Sequence, residues 1–265
     1  MHLIVVLSFL ASAFVDAGAA LTLHSRAGSA ATVYTGCKDP KTVAVTFDDG
    51  PYQWTKTISD IFTNAGGHCT FFMIGLTDYG RMTVASGDCI YDSPQVASVK
   101  YVYSKGHQIG SHTWSHPDLT TLSASQIRLE ISKVDDALQN IIGAKPTCFR
   151  PPYGYYNDLV RSVAGETGKH IIIWDFDSGD STGSSATASE KAYDNQIAKH
   201  VNNFLALNHE TEGHTDCVSV NQVMPYAVNA LKKAGYKMIT VAECIGVTPY
   251  YNVGTPGNRT AAWHC

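Results

Sequence analysis

Short runs of apolar and β-branched residues alternate along the chain with longer segments in which apolar residues recur every three or four positions. The short runs predict strands and the longer segments predict helices, because side chains repeat with a period of 2 in strands and 3.6 in helices. Seven predicted strands cover Val43–Phe47, Cys69–Ile74, His107–Ser111, Thr147–Arg150, His170–Trp174, Phe204–Asn208 and Lys237–Thr240. Six predicted helices begin near Thr55, Pro94, Ser123, Asn157, Glu190 and Ser219.

The clearest helical pattern runs from Ser123 to Ile142 and begins at a residue type that favours helix N-termini. One face of this helix carries Ile127, Ile131, Val134, Leu138 and Ile141. The strict alternation of strands and helices predicts an α/β fold with about seven parallel strands in one domain. It is compatible with a (β/α) barrel and with an open doubly wound sheet. The segment Ser178–Ser189, rich in Ser, Thr, Gly and Ala, predicts a surface loop.

Composition narrows the class of protein. The chain has 265 residues, of which 44% are hydrophobic, and this is enough for one sizeable core. Charged residues make up 16%, the formal net charge is −4, and no basic run is present. We therefore expect no nucleic-acid partner, because phosphate binding needs clustered Lys and Arg.

The N-terminus predicts secretion. The apolar run Leu3–Val15 has 13 residues, which is too short to span a bilayer. It is followed by Ala17-Gly18-Ala19-Ala20, small residues that are typical of a signal-peptidase site. We interpret residues 1–20 as a signal peptide, with a buried N-terminal helix as the alternative, and expect an extracellular protein. The sequence printed lacks the hydrophobic C-terminal tail that signals a lipid anchor, so we expect no membrane anchor.

Seven cysteines follow the predicted signal peptide: Cys37, Cys69, Cys89, Cys148, Cys217, Cys244 and Cys265. In an oxidising compartment some should pair, and the odd number leaves at least one free or paired between chains. No CxxC pair occurs, which argues against a zinc-finger type of site. The sequon Asn258-Arg259-Thr260 predicts N-glycosylation at Asn258.

Polar clusters follow the predicted strands directly. They are Asp48-Asp49-Gly50-Pro51, the segment from His112 to His116, Arg150-Pro151-Pro152-Tyr153-Gly154, Asn208-His209, and the group of Asp175, Asp177 and Asp180. In parallel α/β proteins the C-terminal strand ends lie on one face, which carries the active site. We therefore expect these clusters to converge.

The residue types in these clusters suggest a catalytic metal site. His112 and His116, at i and i+4, form with one carboxylate a three-ligand set that leaves a coordination position open. Taken alone, the histidines could lie on the surface, and Asp-Gly-Pro is ordinary turn chemistry. His209 has the chemistry of a general acid but could equally be a core histidine. Two prolines after Arg150 favour a fixed guanidinium, with a salt bridge as the alternative.

Four of these segments resemble motifs of the polysaccharide deacetylases, which form carbohydrate esterase family 4 and share the NodB homology domain. The first motif resembles Thr46–Pro51, and the second resembles Ser111–His116. The third resembles Arg150–Gly154 and the fifth resembles Leu205–His209, so the motifs occur in family order. Cys89–Asp92, Gly106–Ile109 and Thr240–Cys244 resemble the fungal chitin deacetylases. The resemblance implies a distorted (β/α) barrel. It divides the chain into an N-terminal segment (21–40), a NodB homology domain (41–246) and a C-terminal tail (247–265).

The resemblance also implies roles for individual residues. Asp48 would be the general base, and Arg150 would orient it. Asp49, His112 and His116 would hold a divalent metal, usually zinc, with cobalt as an alternative. His209 would be the general acid. The backbone N–H of Tyr153 would bind the oxyanion, and Leu207 would line the pocket for the acetyl methyl group.

Two departures from the family pattern stand out. Asp177-Ser178-Gly179-Asp180 resembles the fourth motif, in which Asp180 would orient His209, but Ser181 replaces the usual aromatic residue. The segment after Ile74-Gly75-Leu76 contains an insertion, Thr77–Asp88, which would reshape a substrate loop.

With the predicted signal peptide, the resemblance implies a secreted deacetylase that removes N-acetyl groups from chitin, chitosan or chitooligosaccharides. An O-acetyl esterase on acetylated xylan and a non-catalytic glycan-binding protein are the alternatives. We expect a monomer. A barrel would bring Cys37, before the first strand, close to Cys244, after the last, so a disulfide between them is expected.

Overall fold

The computed structural model describes residues 29–76, 89–211 and 219–265. The predicted signal peptide (1–20), the predicted insertion Thr77–Asp88 and Cys217 lie outside the described residues. Among the described residues, no helix combines the length and the apolar character needed to cross a membrane.

The described residues form eleven strands and seven α-helices. The strands are β1 (Val33–Tyr34), β2 (Thr42–Gly50), β3 (Thr70–Met73), β4 (Gln108–Ser111), β5 (Lys145–Pro146), β6 (Cys148–Phe149), β7 (His170–Ile172), β8 (Phe176–Asp177), β9 (Asn203–His209), β10 (Lys237–Met238) and β11 (Tyr250–Tyr251). The helices are α1 (Thr55–Asn64), α2 (Ser93–Ser104), α3 (Ala124–Ile142), α4 (Asp158–Glu166), α5 (Ala186–Ala198), α6 (Met224–Lys233) and α7 (Val241–Ile245).

Nine strands form one sheet in which every pairing is parallel. The order is β1-β7-β6-β4-β3-β2-β9-β8, and β10 also pairs with β2. In a flat sheet β7 and β8 would lie about 29 Å apart, six strand spacings. Only residues 173–175 separate them along the chain, and that segment spans at most about 14 Å. The sheet therefore curls into an incomplete barrel, which confirms the distorted (β/α) barrel.

The sequence pattern located seven of the eleven described strands, among them the five that are longer than two residues. It missed β1, β5, β8 and β11, which have two residues each and are too short to show a period. Two helix starts differ from the prediction. In the segment predicted to be helical from near Ser219, the α-helix begins at Met224, after the π-helical turn Ser219–Val223. Helix α5 begins at Ala186, four residues before the predicted start at Glu190, because the Ser185 hydroxyl accepts a hydrogen bond from the Ala188 N–H (3.3 Å) and caps the helix. The last residues of the predicted loop Ser178–Ser189 are therefore helical.

Helix α3 covers the sheet with the face that the sequence predicted. The buried residues on α3 include Ile127, Ile131, Val134, Leu138 and Ile141. At its N-terminus the side chain of Gln126 accepts a hydrogen bond from the Ser123 N–H (3.0 Å), and at its C-terminus Gly143 adopts a left-handed conformation. Both ends and one face of α3 are thus held, so that it can act as a rigid support.

A cluster of buried side chains, separate from those that pack under α3, fills the barrel interior. It includes Ala44, Phe72, Cys148, Ile172, Leu205, Val241, Cys244 and Ile245. Three of these residues belong to α7, which therefore closes one end of the barrel. A disulfide joins Cys244 on this helix to Cys37, the pair expected from the sequence. Its closed loop spans 207 residues, and in the chain-entropy model such a loop contributes about 5 kcal/mol.

The remaining described cysteines were not assigned from the sequence. Cys89 forms a disulfide with Cys265 and ties the C-terminal tail to the start of α2. Cys69 and Cys148 are free and fully buried, and burial raises the pKa of both thiols. Both thiols are therefore packing elements of the core rather than reactive groups.

Candidate active site

The polar clusters converge at the C-terminal ends of four strands of the barrel. Asp48 and Asp49 lie at the end of β2, His112 follows β4, Arg150 follows β6, and His209 ends β9. Strands β2 and β9 are neighbours, and Asp48 is paired in register with His209. The parallel direction of these strands brings residues that are up to 161 positions apart in the chain, from Asp48 to His209, into one site.

Asp49, His112 and His116 form a compact group. The Nε2 atoms of both histidines lie 3.4 Å from Oδ1 of Asp49. The Nδ1 atom of His112 lies 2.8 Å from the carbonyl oxygen of Arg150. A carbonyl can only accept, so Nδ1 carries a proton, and Nε2 is the ring nitrogen that faces Asp49 and is available to a metal ion.

The same three residues fit a divalent cation. Within the described part of the chain, the buried Oδ1 atom of Asp49 accepts no hydrogen bond. Burial and the charge of His112 lower the pKa of His116 to about 4, so its imidazole is neutral near pH 7. Burial raises the pKa of Asp49, but His112 and the other histidines hold it well below its usual range. Two imidazole nitrogens and one carboxylate oxygen are the donor set of catalytic zinc sites.

Asp48 is held by a fully buried arginine. The Nη1 atom of Arg150 donates to Oδ1 of Asp48 (2.7 Å) and to Oγ1 of Thr46 (2.7 Å), and Nε donates to the carbonyl of Ile172 (3.2 Å). The guanidinium lies 4.2 Å from the ring centre of Phe72. The other oxygen of Asp48, Oδ2, lies 3.7 Å from Nε2 of His112 and so faces the three-residue group.

His209 is paired with Asp180. Oδ1 of Asp180 lies 2.8 Å from Nδ1 of His209, and Oδ2 accepts the backbone N–H of His209 (2.7 Å). Burial alone would lower the pKa of His209, but the hydrogen bond and charge of Asp180, with the charges of Asp49 and Asp48, raise it to about 10. The imidazole is therefore protonated at neutral pH and has a proton to give.

Three of the site residues adopt left-handed backbone conformations. The φ angles are 71° for Asp49, 55° for His116 and 60° for Tyr153. Such conformations cost a non-glycine residue about 1–3 kcal/mol and tend to cluster at functional sites. The fold therefore accepts a backbone energy cost at these three positions, where the conformation sets the orientation of the site residues.

Aromatic side chains border the site. The ring of Tyr153 lies 4.8 Å from that of His116 and 5.7 Å from that of Tyr155, between ring centres. Tyr153 and Tyr155 are 49% and 57% exposed. Trp174 packs so closely on Gly154 that an added Cβ there would lie 3.0 Å from its ring. The rim of the site is thus apolar, flat and open to solvent.

Other predicted residues differ in how close they come to this centre. Leu207 is buried in β9, two residues before His209. Ser181 is exposed, and its backbone N–H donates to Oδ1 of Asp180 (2.8 Å). Of the predicted aspartate group, Asp180 alone joins the centre, since Asp175 accepts the N–H of Leu205 (2.7 Å) and Asp177 is exposed. Asn258 is exposed in the tail.

Sequence reasoning missed two acidic residues that support the site. Glu210 is fully buried beside the first cluster: the Thr55 hydroxyl donates to it, and a Cβ on Gly50 would lie 1.4 Å from its Oε1. Burial and the charges of Asp49 and Asp48 raise the pKa of Glu210 to about 8. Its position next to His209 was the available signal. The other residue, Glu130, lies on α3 and carried no signal in the sequence.

Comparisons with known proteins agree with this geometry. Residues 35–172 match the family model described as polysaccharide deacetylase. A chitin deacetylase of Pestalotiopsis sp is 36% identical over 215 residues, which cover 81% of this chain and 67% of that protein. A chitin deacetylase of Arthroderma benhamiae is 34% identical over 225 residues, with 81% and 54% covered. The chain thus spans about half to two thirds of these relatives.

A solved structure shares the fold. The chitin deacetylase from the fungal pathogen Colletotrichum lindemuthianum superimposes with a TM-score of 0.76 and 26% sequence identity, covering 85% of this chain and 98% of that one. Family model, relatives and fold together confirm the resemblance that the four ordered motifs indicated. The chain belongs to the polysaccharide deacetylase family of hydrolases.

Proposed function

We propose that the protein is a secreted, zinc-dependent deacetylase that removes N-acetyl groups from N-acetylglucosamine residues of chitin-like polymers. The observation that carries this proposal is the placement of a base and an acid around one metal-type donor set. Arg150 fixes Asp48 beside Asp49 and His112. His209 lies on the neighbouring strand β9, and Asp180 fixes its imidazole.

Asp49, His112 and His116 would hold the metal, which supplies Lewis-acid activation of the acetyl carbonyl and of the attacking water. Asp48 would take the proton from that water through Oδ2, the oxygen that Arg150 does not bind. The buried guanidinium holds the carboxylate through its hydrogen bond to Oδ1 and so prevents its rotation. An arginine serves this purpose well because it stays charged even when fully buried.

His209 would deliver a proton to the amide nitrogen as the carbon–nitrogen bond breaks. An amide nitrogen is a poor leaving group until it is protonated, so a base alone is not sufficient. The raised pKa of about 10 keeps this proton in place at neutral pH. The backbone N–H of Tyr153 would stabilise the oxyanion, and Leu207 would contact the acetyl methyl group.

A sugar polymer suits the rim of the site. The exposed rings of Tyr153 and Tyr155 offer apolar faces next to the proposed metal ligands, and large exposed aromatic surfaces mark binding sites. The similarity to two fungal chitin deacetylases supports chitin as the polymer. The two disulfides are consistent with an oxidising, extracellular compartment.

Acetate release tests the proposal. We expect release from N-acetylglucosamine oligomers that EDTA abolishes and that zinc, added back in excess, restores. Acetylated xylan is run in parallel, because release from xylan alone would identify an O-acetyl esterase. Binding of the oligomers without release from either substrate would identify a glycan-binding protein, and the replacement of the usual aromatic residue by Ser181 would be the first feature to test.

A further inference from the structure

The loop between His112 and His116 is held by an acidic residue that lies outside the motifs identified above. Oε2 of Glu130 accepts the backbone N–H groups of Trp114 (2.9 Å) and Ser115 (2.8 Å), and Oε1 accepts the Ser115 hydroxyl (2.9 Å). We propose that Glu130 is a positioning residue that sets the arrangement of the two histidines and thereby the affinity for metal. The proposal rests on the proposed metal site.

The backbone of this loop needs external support. Thr113 and His116 both adopt left-handed conformations, with φ of 74° and 55°, and these persist only where the surroundings hold them. On one side, the carbonyl of Trp114 accepts the N–H groups of Gly75 (3.1 Å) and Leu76 (2.7 Å). These bonds satisfy the acceptor of Trp114, whereas its N–H and that of Ser115 depend on Glu130.

A carboxylate suits this position better than the other polar groups. Two adjacent N–H groups and a hydroxyl all point at it, so three donors require two acceptor atoms and no donor in return. Glutamine offers one acceptor oxygen and turns an NH₂ group toward a donor. Bonds to an ionised acceptor are also stronger than neutral ones. Glu130 therefore matches the donors of the loop in number and in charge.

Helix α3 gives Glu130 a rigid base. The flanking residues Ile127, Ile131 and Val134 are fully buried in the core. The same helix makes a second contact with the loop, because the ammonium group of Lys133 lies 5.2 Å from the ring centre of Trp114. Through α3, the packing of the hydrophobic core fixes the position of this loop. It thereby fixes the positions of the two histidines that would bind the metal.

The test measures zinc affinity and apo-protein stability separately. The dissociation constant is measured by competition with a chromogenic chelator at pH 7, and the melting temperature is measured after EDTA treatment. We expect Glu130→Ala to weaken zinc binding by about 10–100-fold, the range found when supports of metal ligands are removed. Glu130→Gln keeps one acceptor and the side-chain shape, so it should fold readily and give a smaller loss in the same direction.

Thr240→Ala is the matched control. Thr240 caps α7 with its hydroxyl bonded to Glu243, at the end of the barrel that α7 closes. This variant should lower the apo melting temperature and leave zinc affinity unchanged. If both Glu130 variants bind zinc as wild type does while melting earlier, Glu130 is a structural residue only and the proposal is wrong. If wild type itself fails to bind one zinc per chain, the metal site in the proposed function fails instead.

Discussion

In the described part of the chain, two buried ion pairs join an aspartate to an arginine or a lysine, and they look alike until the remaining hydrogen-bonding atoms of each pair are compared. Arg150 donates to Asp48 over 2.7 Å, and Lys169 donates to Asp135 over 2.6 Å. In both pairs the basic side chain is fully buried and the carboxylate is almost so. Burial, charge and distance therefore do not distinguish them.

In the Lys169–Asp135 pair both carboxylate oxygens accept a hydrogen bond, and we call such a pair closed. Oδ1 of Asp135 binds Lys169, and Oδ2 accepts the hydroxyl of Tyr251 (2.7 Å). Lys169 also donates to the carbonyl of Pro146. Burial raises the pKa of Asp135 and lowers that of Lys169, so the pair bears a desolvation cost that its hydrogen bonds offset. It joins α3 to β11 and the C-terminal tail.

In the Arg150–Asp48 pair one carboxylate oxygen is not used by the basic side chain, and we call this pair open. One oxygen of Asp48 binds Arg150, while the other faces His112 and the proposed metal position. Among the described residues, Nη2 of Arg150 has no hydrogen-bond partner. The comparison teaches that a buried charge indicates chemistry when part of its bonding capacity is left over. Four predictions test this distinction.

The largest effect is expected for Asp48→Asn. The amide keeps the shape of the side chain but cannot take a proton from water, so kcat should fall by about 10²–10⁴-fold. Zinc should stay bound at one per chain, because Asp48 is not among the proposed ligands. Turnover on chitin oligomers and metal analysis check both points. Near-wild-type turnover would show that Asp48 is not the base.

Asp135→Asn makes the corresponding change in the closed pair. It leaves the ammonium of Lys169 buried without its counter-charge, so the free energy of unfolding should fall by about 3–5 kcal/mol. Turnover of the folded fraction should match wild type. Urea unfolding and kcat measured well below the melting temperature check this. A large loss of kcat here would break the comparison between the two pairs.

Asp180→Asn should lower the pKa of His209, because it removes the carboxylate that raises it to about 10. A lost neighbouring charge shifts a pKa by about 1–3 units. In the proposed mechanism His209 acts in its protonated form, so activity should be lost as the pH rises through this pKa. The alkaline limb of the kcat profile should therefore move to lower pH. Asp177→Asn, at the exposed aspartate of the same segment, is the control and should leave the limb in place.

Glu210→Gln should give the smallest effect. The pKa of Glu210 is about 8 in the folded protein against an ordinary value of 4.5. Between these values the folded state keeps a proton that the unfolded state has released, so this group lowers stability as the pH rises from about 5 to 8. Metal-free Glu210→Gln should therefore lose less stability than wild type over this window, by at least about 2–4 °C in melting temperature. Parallel melting curves for the two proteins would contradict the assignment.

Several features of the site could be predicted from the sequence because they are local. The site residues lie at the end of a strand or shortly after it, and the apolar pattern of each strand can be recognised from its own residues: Asp48, Asp49, His112, His116 and His209. Glu130 and the pairing of Cys89 with Cys265 could not be predicted, because they depend on which helix or tail packs beside a given loop.

The sequence by itself determined the alternation of strands and helices, the buried face of α3 and the chemistry available at the strand ends. Periodicity and residue type are properties of short segments, so they are legible along the chain. Tertiary structure decided the closure of the barrel through residues 173–175, the left-handed backbone of Asp49 and Tyr153, and the difference between the open and the closed ion pair. The physical reason is that hydrogen-bond capacity is used up by partners distant in sequence, and only the folded chain shows which atoms are left for function.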